Sequence, residues 1–215
     1  MPPVMAIPRI TVLISGRGTN LAALIAAERR GELCGAVSAV ITNRPDAPGL
    51  AIAAGYGIAT EIVDHRKFAH REAFDAALAA AVDASEPDVV VLAGFMRILG
   101  PAFVRRYEGR MLNIHPSLLP AYPGRDTHRR ALADGARVHG CTVHFVTADV
   151  DLGPIVAQAR LDVRADDDPA SLAARVLALE HRLLPAAVRD FCEGRVVIEG
   201  RQVHVREPSA PAELT

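Results

Sequence analysis

The sequence predicts an α/β fold with a doubly wound, mostly parallel sheet. Through the first half of the chain, short β-branched runs alternate with helical patterns, as parallel strands joined by crossover helices do. The run at 88–93 is continuously apolar, which is typical of a strand covered on both faces. Beyond residue 120, two strand-like segments are joined by a connection too short for a crossover. We therefore expect an antiparallel C-terminal part.

The elements of the first half follow from periodicity. A β-branched run at 9–15 ends in a glycine-rich turn, after which Leu21, Leu24 and Ile25 repeat on one helical face. The later elements continue this alternation: strands at 37–42, 59–63, 88–93 and 111–115, and helices near 50–54, at 71–82 and in part of 97–107.

The second half is predicted from caps and turns. Asp168 has the character of a helix N-cap, with Pro169 in the first turn of the helix that follows. The residues from 208 to 215 are expected to form a flexible tail. The elements are a helix at 127–134, strands at 141–146 and 155–159, a helix from 169 to about 191, and a hairpin of 196–198 with 202–205.

Composition excludes several classes of protein. The chain has 215 residues, of which 50% are hydrophobic, and a formal net charge of −1, so it offers no electrostatic basis for binding nucleic acid or an anionic membrane. No apolar run approaches the ~18 residues of a membrane span, and the N-terminus lacks the features of a signal peptide. Three widely separated cysteines form neither a disulfide framework nor a metal cluster. We expect a cytoplasmic protein.

The strand at 111–115 carries the first candidate site residues. Asn113 and His115 are spaced two apart, so both side chains point to one face of the strand. Pro116 ends the strand, because proline cannot donate a ladder hydrogen bond. An amide donor and a titratable imidazole thus lie where open α/β sheets bind ligands. A lone Asn-x-His is also compatible with a buried structural histidine, so the choice between a functional and a structural role depends on the other motifs of the chain.

The glycine-rich turn after the first strand predicts an anion site. Gly18 permits close backbone approach, Thr19 and Asn20 offer polar side chains, and a helix begins there with free N–H groups. The third glycine of a dinucleotide fingerprint is absent, and Asn43 stands where the ribose-binding acid would close the second strand. A phosphate monoester is therefore favoured over NAD. The alternative is a tight turn with Thr19 or Asn20 as an N-cap.

A second polar constellation lies at 149–154, close in sequence to His144. A carboxylate in this turn could orient His115 or exchange a proton with it, and the alternative is an acidic surface turn. Glu180 and His181 are polar residues on the long helix, and both are expected to be exposed. His139 is also expected at the surface. No His, Asp or Glu spacing indicates a zinc site, and no G-x-S-x-G motif indicates a serine hydrolase.

These motifs together resemble the glycinamide ribonucleotide formyltransferase family, from about residue 10 to 191. The motifs that carry the resemblance are LISGRGTNLAALI at 13–25, DVVVLAGFMRIL at 88–99, NIHPSLLPAYPGRDTHRRAL at 113–132, HGCTVHFV at 139–146, DLGPI at 151–155 and LEHRLLP at 179–185. NIHPSLLP is shared with other enzymes that use 10-formyltetrahydrofolate, whereas the YPG-x-x-THR continuation and the N-terminal loop are more specific. The resemblance implies a formyltransferase (Rossmann-like) fold.

The resemblance also implies roles for individual residues. Asn113, His115 and Asp151 match the catalytic trio, and Glu180 matches a substrate contact. The substrate-phosphate loop corresponds to Gly18, Thr19 and Asn20, and the folate contacts to Arg71, Met96, Arg97, Ile98, Leu99 and Asn113. One domain over 1–207 is implied, with a phosphate-binding half at 9–110 and a catalytic and folate-binding half at 111–207.

Two positions depart from the family pattern. Leu152 stands where a second glycine is more common, which would stiffen the turn after Asp151. Leu177 stands where relatives often have glutamine, so a sugar-hydroxyl contact is expected to be missing or supplied elsewhere.

The reaction implied is formyl transfer from 10-formyltetrahydrofolate to the amine of glycinamide ribonucleotide, in purine biosynthesis. It proceeds by direct attack through a tetrahedral intermediate, with no metal and with small molecules as the only substrates. The expected state is a monomer or homodimer. The alternatives are a methionyl-tRNA formyltransferase, expected to carry a further basic domain, a formyltetrahydrofolate hydrolase, expected to carry a preceding regulatory domain, and a non-catalytic nucleotide-binding module.

Overall fold

A computed structural model describes residues 6–200 and 202–207. The tail expected at 208–215 lies outside the described residues, as does residue 201. Within the described parts of the chain, no helix is both long and apolar enough to cross a bilayer.

A seven-stranded sheet forms the centre of the fold. Its strands, in chain order, are β1 (Arg9–Ile14), β2 (Ala36–Thr42), β3 (Ala59–Ile62), β4 (Val89–Leu92), β5 (Met111–His115), β6 (Val138–Phe145) and β7 (Ile155–Asp162). In space the order is β3-β2-β1-β4-β5-β6-β7. The first five pair in parallel, and β5–β6 and β6–β7 pair antiparallel. This confirms the predicted α/β class and its antiparallel C-terminal part.

The helices are α1 (Thr19–Arg29), α2 (Gly49–Gly55), α3 (Arg71–Ala84), α4 (Pro101–Arg106), α5 (Thr127–Ala133) and α6 (Pro169–Cys192). The terminal hairpin, β8 (Val196–Glu199) with β9 (Gln202–Val205), forms a separate two-stranded sheet. Asp168 caps α6 by accepting the backbone N–H groups of Ala170 and Ser171, as its N-cap position predicts.

The predicted elements are present, and α4 occupies part of 97–107 as expected, because Gly100 is extended and Pro101 begins the helix. Strands β6 and β7 are longer than predicted, since their antiparallel ladder continues to the pair Val138–Asp162. A short 3₁₀ turn at His65–Lys67, too brief to leave a periodic pattern, was not predicted.

Two clusters of buried apolar side chains fill the spaces beside the sheet. The larger combines the β1 residues Ile10, Val12 and Ile14 with α1 and α6. The smaller joins Leu13 of β1 to the apolar residues of α3 and α4. Alternate residues of β1 thus belong to different clusters, as a strand buried on both faces requires.

The strand order reverses between β1 and β4, which places a topological switch point at their carboxyl ends. In open α/β sheets, a crevice forms outside the carboxyl ends of the strands at such a point, and ligands bind there. The loop after β1, the loop after β4 and the end of β5 therefore meet along one edge.

The burial of α6 in the larger cluster predicts the effect of shortening one of its buried side chains. Leu184 is fully buried, so Leu184→Ala is expected to lower the free energy of unfolding by about 2–5 kcal/mol through lost transfer energy and the cavity left behind. Urea denaturation followed by circular dichroism measures this. Leu152→Ala, at a leucine that is 48% exposed, is the matched control and is expected to cost less than about 1 kcal/mol. Equal losses in the two variants would contradict this packing.

Candidate active site

Strand β5 presents Asn113 and His115 to the same side, as their spacing predicts. The antiparallel ladder aligns Asn113 with His144 and His115 with Thr142. Asn113 Nδ2 lies 3.1 Å from His144 Nε2. The polar side chains of Asn113, His115 and His144, from two adjacent strands, thus lie together in one cluster.

Asp151 arrives at this cluster from the connection between β6 and β7. Its Oδ2 lies 3.4 Å from His115 Nδ1, and its Oδ1 lies 3.7 Å from His144 Nε2. The Gly124 N–H donates to Asp151 Oδ2 at 2.7 Å. The side chains of His115 and Asp151 are 6% and 11% exposed, so the pair is largely shielded from water. The acidic turn therefore faces His115 instead of lying free at the surface.

The backbone of this turn depends on two residues. Asp151 adopts a left-handed conformation at φ 57°, which aspartate tolerates better than most residues. A Cβ at Gly153 would lie 1.8 Å from the Phe145 carbonyl oxygen, so only glycine fits there. Leu152 occupies neither demanding position and is accommodated with its side chain half exposed.

The Tyr122 carbonyl fixes the orientation of the His115 ring. His115 Nε2 lies 3.0 Å from this oxygen, and because a carbonyl can only accept, Nε2 carries the proton. The remaining nitrogen, Nδ1, faces Asp151. Nδ1 is therefore the ring nitrogen left free to accept a proton, and it lies beside the Asp151 carboxylate.

His144 is held in the complementary state. Its Nδ1 donates to the Phe145 carbonyl at 2.9 Å, which leaves the Nε2 lone pair to accept from the Asn113 amide. Burial lowers the pKa of His144 and so favours this neutral ring. One N–H of the Asn113 amide is thereby used, and its second N–H is available to a bound oxygen.

A cavity of about 840 Å³ lies beside these residues. Apolar side chains from β4 and α4, including Leu92 and Val104, form part of its wall, and Met96 and Ile98 are exposed at 74% and 61%. All the residues predicted as folate contacts line this cavity: Arg71, Met96, Arg97, Ile98, Leu99 and Asn113. His115 and Asp151 line it too, so one space joins the predicted folate residues to the polar cluster.

The predicted phosphate loop lies at the carboxyl end of β1. Gly18 has φ 73° and directly precedes α1, and a Cβ there would lie 2.7 Å from Gly49 Cα. The N-cap position thus belongs to Gly18, and the alternative with Thr19 or Asn20 as N-cap was wrong. Because Gly18 has no side chain to cap the helix, the first N–H groups of α1 are left for an anion.

Asn20 and Glu180 are brought together although they are distant in sequence. Asn20 Nδ2 donates to Glu180 Oε2 at 2.7 Å, and Asn20 Oδ1 is buried without a partner among the described residues. Burial raises the pKa of Glu180, while the Asn20 amide and the Arg17 charge oppose this shift. A carboxylate and an amide oxygen are both acceptors, as sugar hydroxyls and amines require.

Two expectations about burial were wrong. Glu180 is only 8% exposed, because it lies on the same stripe of α6 as Val176 and Leu184. His139 is 1% exposed, because β6 is an interior strand of the sheet, and its Nε2 lies 3.2 Å from His128 Nδ1. Burial lowers the pKa of His139 to about 4.

Sequence reasoning assigned no role to His144, Tyr122 or Gly124. The antiparallel pairing of 141–146 with the strand before it would have placed His144 opposite Asn113. The Tyr122 and Gly124 contacts are made by backbone atoms, which leave no residue-type signal. Among the described residues, no group of three or more His, Cys, Asp or Glu side chains is arranged to hold a metal ion.

Similarity to known proteins agrees with this geometry. Residues 8–188 match the formyl transferase family. The chain is 51% identical over 187 residues to phosphoribosylglycinamide formyltransferase of Escherichia coli (strain K12), covering 87% of this chain and 88% of that protein. It is 44% identical over 188 residues to the trifunctional purine biosynthetic protein adenosine-3 of Homo sapiens, covering 87% of this chain and 19% of that protein.

A solved structure is similar over nearly the whole chain. Glycinamide ribonucleotide transformylase 1 from Symbiobacterium toebii superposes with a TM-score of 0.91 at 49% sequence identity. The match covers 94% of this chain and 95% of that chain.

The hydrogen bonds of His144 predict its titration. We expect this ring to carry its proton on Nδ1 and to remain neutral below the ordinary histidine pKa of about 6.5, because burial opposes the charged form. Nitrogen-15 NMR of ring-labelled protein reports both tautomer and pKa. In Asn113→Ala, Nε2 loses its donor, and its shift should change while that of the exposed His70 does not. An Nε2–H tautomer in the unmodified protein would contradict this assignment.

Proposed function

The chain belongs to the formyl transferase family, and from this premise we propose that it transfers the formyl group of 10-formyltetrahydrofolate to the amine of N1-(5-phosphoribosyl)glycinamide. The product is formylglycinamide ribonucleotide, an intermediate of de novo purine biosynthesis. The observation that carries the proposal is the convergence of Asn113, His115 and Asp151 on one wall of the large cavity.

The cavity suits the folate co-substrate in size and chemistry. A volume of about 840 Å³ is in the range of small-molecule sites, and its apolar lining by Leu92 and Val104 suits a flat pterin ring. Arg71 lines it as well, with a side chain that is 45% exposed, and a carboxylate of the folate tail would pair with that guanidinium. Met96, Arg97, Ile98 and Leu99 supply the wall against which the pterin packs.

The loop after β1 suits the phosphate of the second substrate. Free N–H groups at the start of α1 and the positive end of its dipole favour a dianion, and Gly18 allows its oxygens to come close to the backbone. Thr19 and Asn20 complete this loop. Glu180, which Asn20 orients, is positioned to accept hydrogen bonds from the ribose.

The site accounts for how an amine displaces a folate nitrogen. When the amine attacks the formyl carbon, the carbonyl oxygen gains negative charge in a tetrahedral intermediate. The second N–H of Asn113 and the imidazolium of His115 are the donors suited to this oxyanion. Removing one such donor typically raises the barrier by about 2.7–4 kcal/mol.

The reaction also needs proton transfer, since the attacking nitrogen loses a proton and the leaving nitrogen gains one. His115 Nδ1 is the position at which a proton can be gained or lost, because Nε2 is committed to the Tyr122 carbonyl. The Asp151 carboxylate lies 3.4 Å from that nitrogen, and in the proposed mechanism it helps to move the proton, directly or through one water molecule. Holding both substrates in register supplies much of the remaining acceleration.

The same proposal includes the substrate class, the cellular location and the oligomeric state. Small molecules are the substrates, and cytoplasm is the proposed location, in keeping with the free thiols of Cys34, Cys141 and Cys192. A monomer or a homodimer is the proposed state. A phosphate-binding half at 9–110 and a catalytic half at 111–207 remain a working division of the chain.

Substitution of the trio tests the mechanism. We expect Asn113→Ala and His115→Ala each to lower the single-turnover rate of formyl transfer by roughly 100- to 1000-fold, as loss of an oxyanion donor does. Asp151→Asn keeps the shape but removes the charge beside His115, and we expect a comparable loss. His70→Ala, at an exposed histidine, is the matched control and should leave the rate unchanged. Near-full activity in both Asn113→Ala and His115→Ala would refute the mechanism.

The choice of acceptor separates the proposal from its alternatives. Formyl transfer is measured to glycinamide ribonucleotide, to initiator methionyl-tRNA and to water. Transfer to the first substrate alone supports the proposal, and preference for either of the others would replace it. A non-catalytic module would bind a nucleotide and ignore a folate analogue such as 10-formyl-5,8-dideazafolate in calorimetry.

A further inference from the structure

Ser15 lies at the junction of the two loops that form the proposed site. It follows the last residue of β1 and directly precedes the turn that leads to Gly18. Its backbone N–H donates to the Gly94 carbonyl at 3.2 Å, and its Oγ accepts the Met96 N–H at 2.7 Å. The loop that forms the cavity wall is therefore held by two hydrogen bonds to the residue from which the phosphate loop begins.

Asn43 directs the Ser15 hydroxyl toward this task. Ser15 Oγ donates its proton to Asn43 Oδ1 at 2.6 Å, and both side chains are buried, at 6% and 2% exposure. With its proton committed to Asn43, the hydroxyl oxygen presents lone pairs to the Met96 N–H. Asn43 closes β2, where a dinucleotide-binding fold carries an acid that faces the ribose. Here Asn43 is buried and accepts the hydrogen bond from Ser15.

The far end of the cavity wall has a separate anchor. Asp75, on α3, accepts the Gly100 N–H at 2.7 Å with its Oδ2. Asp75 is 6% exposed, and a Cβ at Gly100 would lie 2.6 Å from the same oxygen. The two anchors belong to different segments. Ser15 is continuous with the phosphate loop, whereas Asp75 lies on α3.

We propose that Ser15, set by Asn43, is a positioning residue for both substrates at once. It fixes the distance between the phosphate loop and the cavity wall and so holds the amine and the formyl group in register. This inference rests on the proposed function, and it assigns to Ser15 no contact with either substrate. Loss of this link would let the phosphate loop and the cavity wall shift against each other, and such a shift slows transfer because effective molarity depends on near-attack geometry.

Kinetics of three variants separate a shared anchor from a local one. Ser15→Ala leaves the Met96 N–H and Asn43 Oδ1 without partners, so we expect the KM of both substrates to rise about tenfold and kcat to fall, because binding and register are lost together. Asp75→Ala removes only the far anchor, so the KM of the folate alone should rise. Ser38→Ala, a serine on the neighbouring strand β2, is the matched control and should change neither value. A rise for the folate alone in Ser15→Ala, or no rise for either substrate, overturns the proposal.

Hydrogen exchange of the unmodified protein gives a test that needs neither turnover nor a folded variant. Inorganic phosphate at a concentration that occupies the loop should slow exchange of the Met96 amide several-fold, because ordering the loop orders Ser15. The Gly100 amide, held by Asp75, should be unaffected. If phosphate protects residues 18–20 but leaves Met96 unchanged, Ser15 does not join the two loops. A protein that transfers formyl groups normally but fails this test retains the proposed function and loses only this inference.

Discussion

Antiparallel pairing of β6 with β5 is the constraint on which the site depends. The pairing sets His144 directly opposite Asn113, and the connection that follows β6 then carries Asp151 to His115. Strand β7 in turn pairs antiparallel with β6, and a parallel β7 would have required a crossover in place of the short connection that carries Asp151. The change of direction after β5 therefore brings His144 and Asp151 to the end of the strand that carries Asn113 and His115.

Backbone carbonyls complete the arrangement by fixing two protons. The Tyr122 carbonyl holds the proton of His115 on Nε2, and the Phe145 carbonyl holds that of His144 on Nδ1. The two rings consequently present opposite functions: His144 accepts from Asn113, and His115 exposes a nitrogen to Asp151. Because these acceptors belong to the main chain, they cannot change charge with pH, and each ring keeps its proton on the nitrogen that faces the carbonyl.

The sequence was informative wherever a pattern is local. Alternating strand and helix periods predicted the sheet, and the spacing of Asn113 and His115 predicted their common face. Contacts between distant segments were inaccessible to such reasoning, because the Asp151–His115 approach depends on strand register. Only the resemblance to a known family assigned Asp151 and His115 to the same site before the structure was considered. Glu180 was misjudged although a signal existed: it lies four residues from Val176 and from Leu184, on the stripe that α6 buries.

In the proposed mechanism, the phosphate loop and the cavity hold two substrates whose reacting atoms meet at Asn113 and His115. A crystal structure with a bisubstrate adduct, in which glycinamide ribonucleotide is joined covalently to a folate analogue, tests this most directly. We expect the phosphate at the N–H groups of residues 18–20, and the oxygen on the linking carbon within hydrogen-bonding reach of Asn113 Nδ2 and His115. An adduct bound with its linking carbon remote from both side chains would contradict the mechanism.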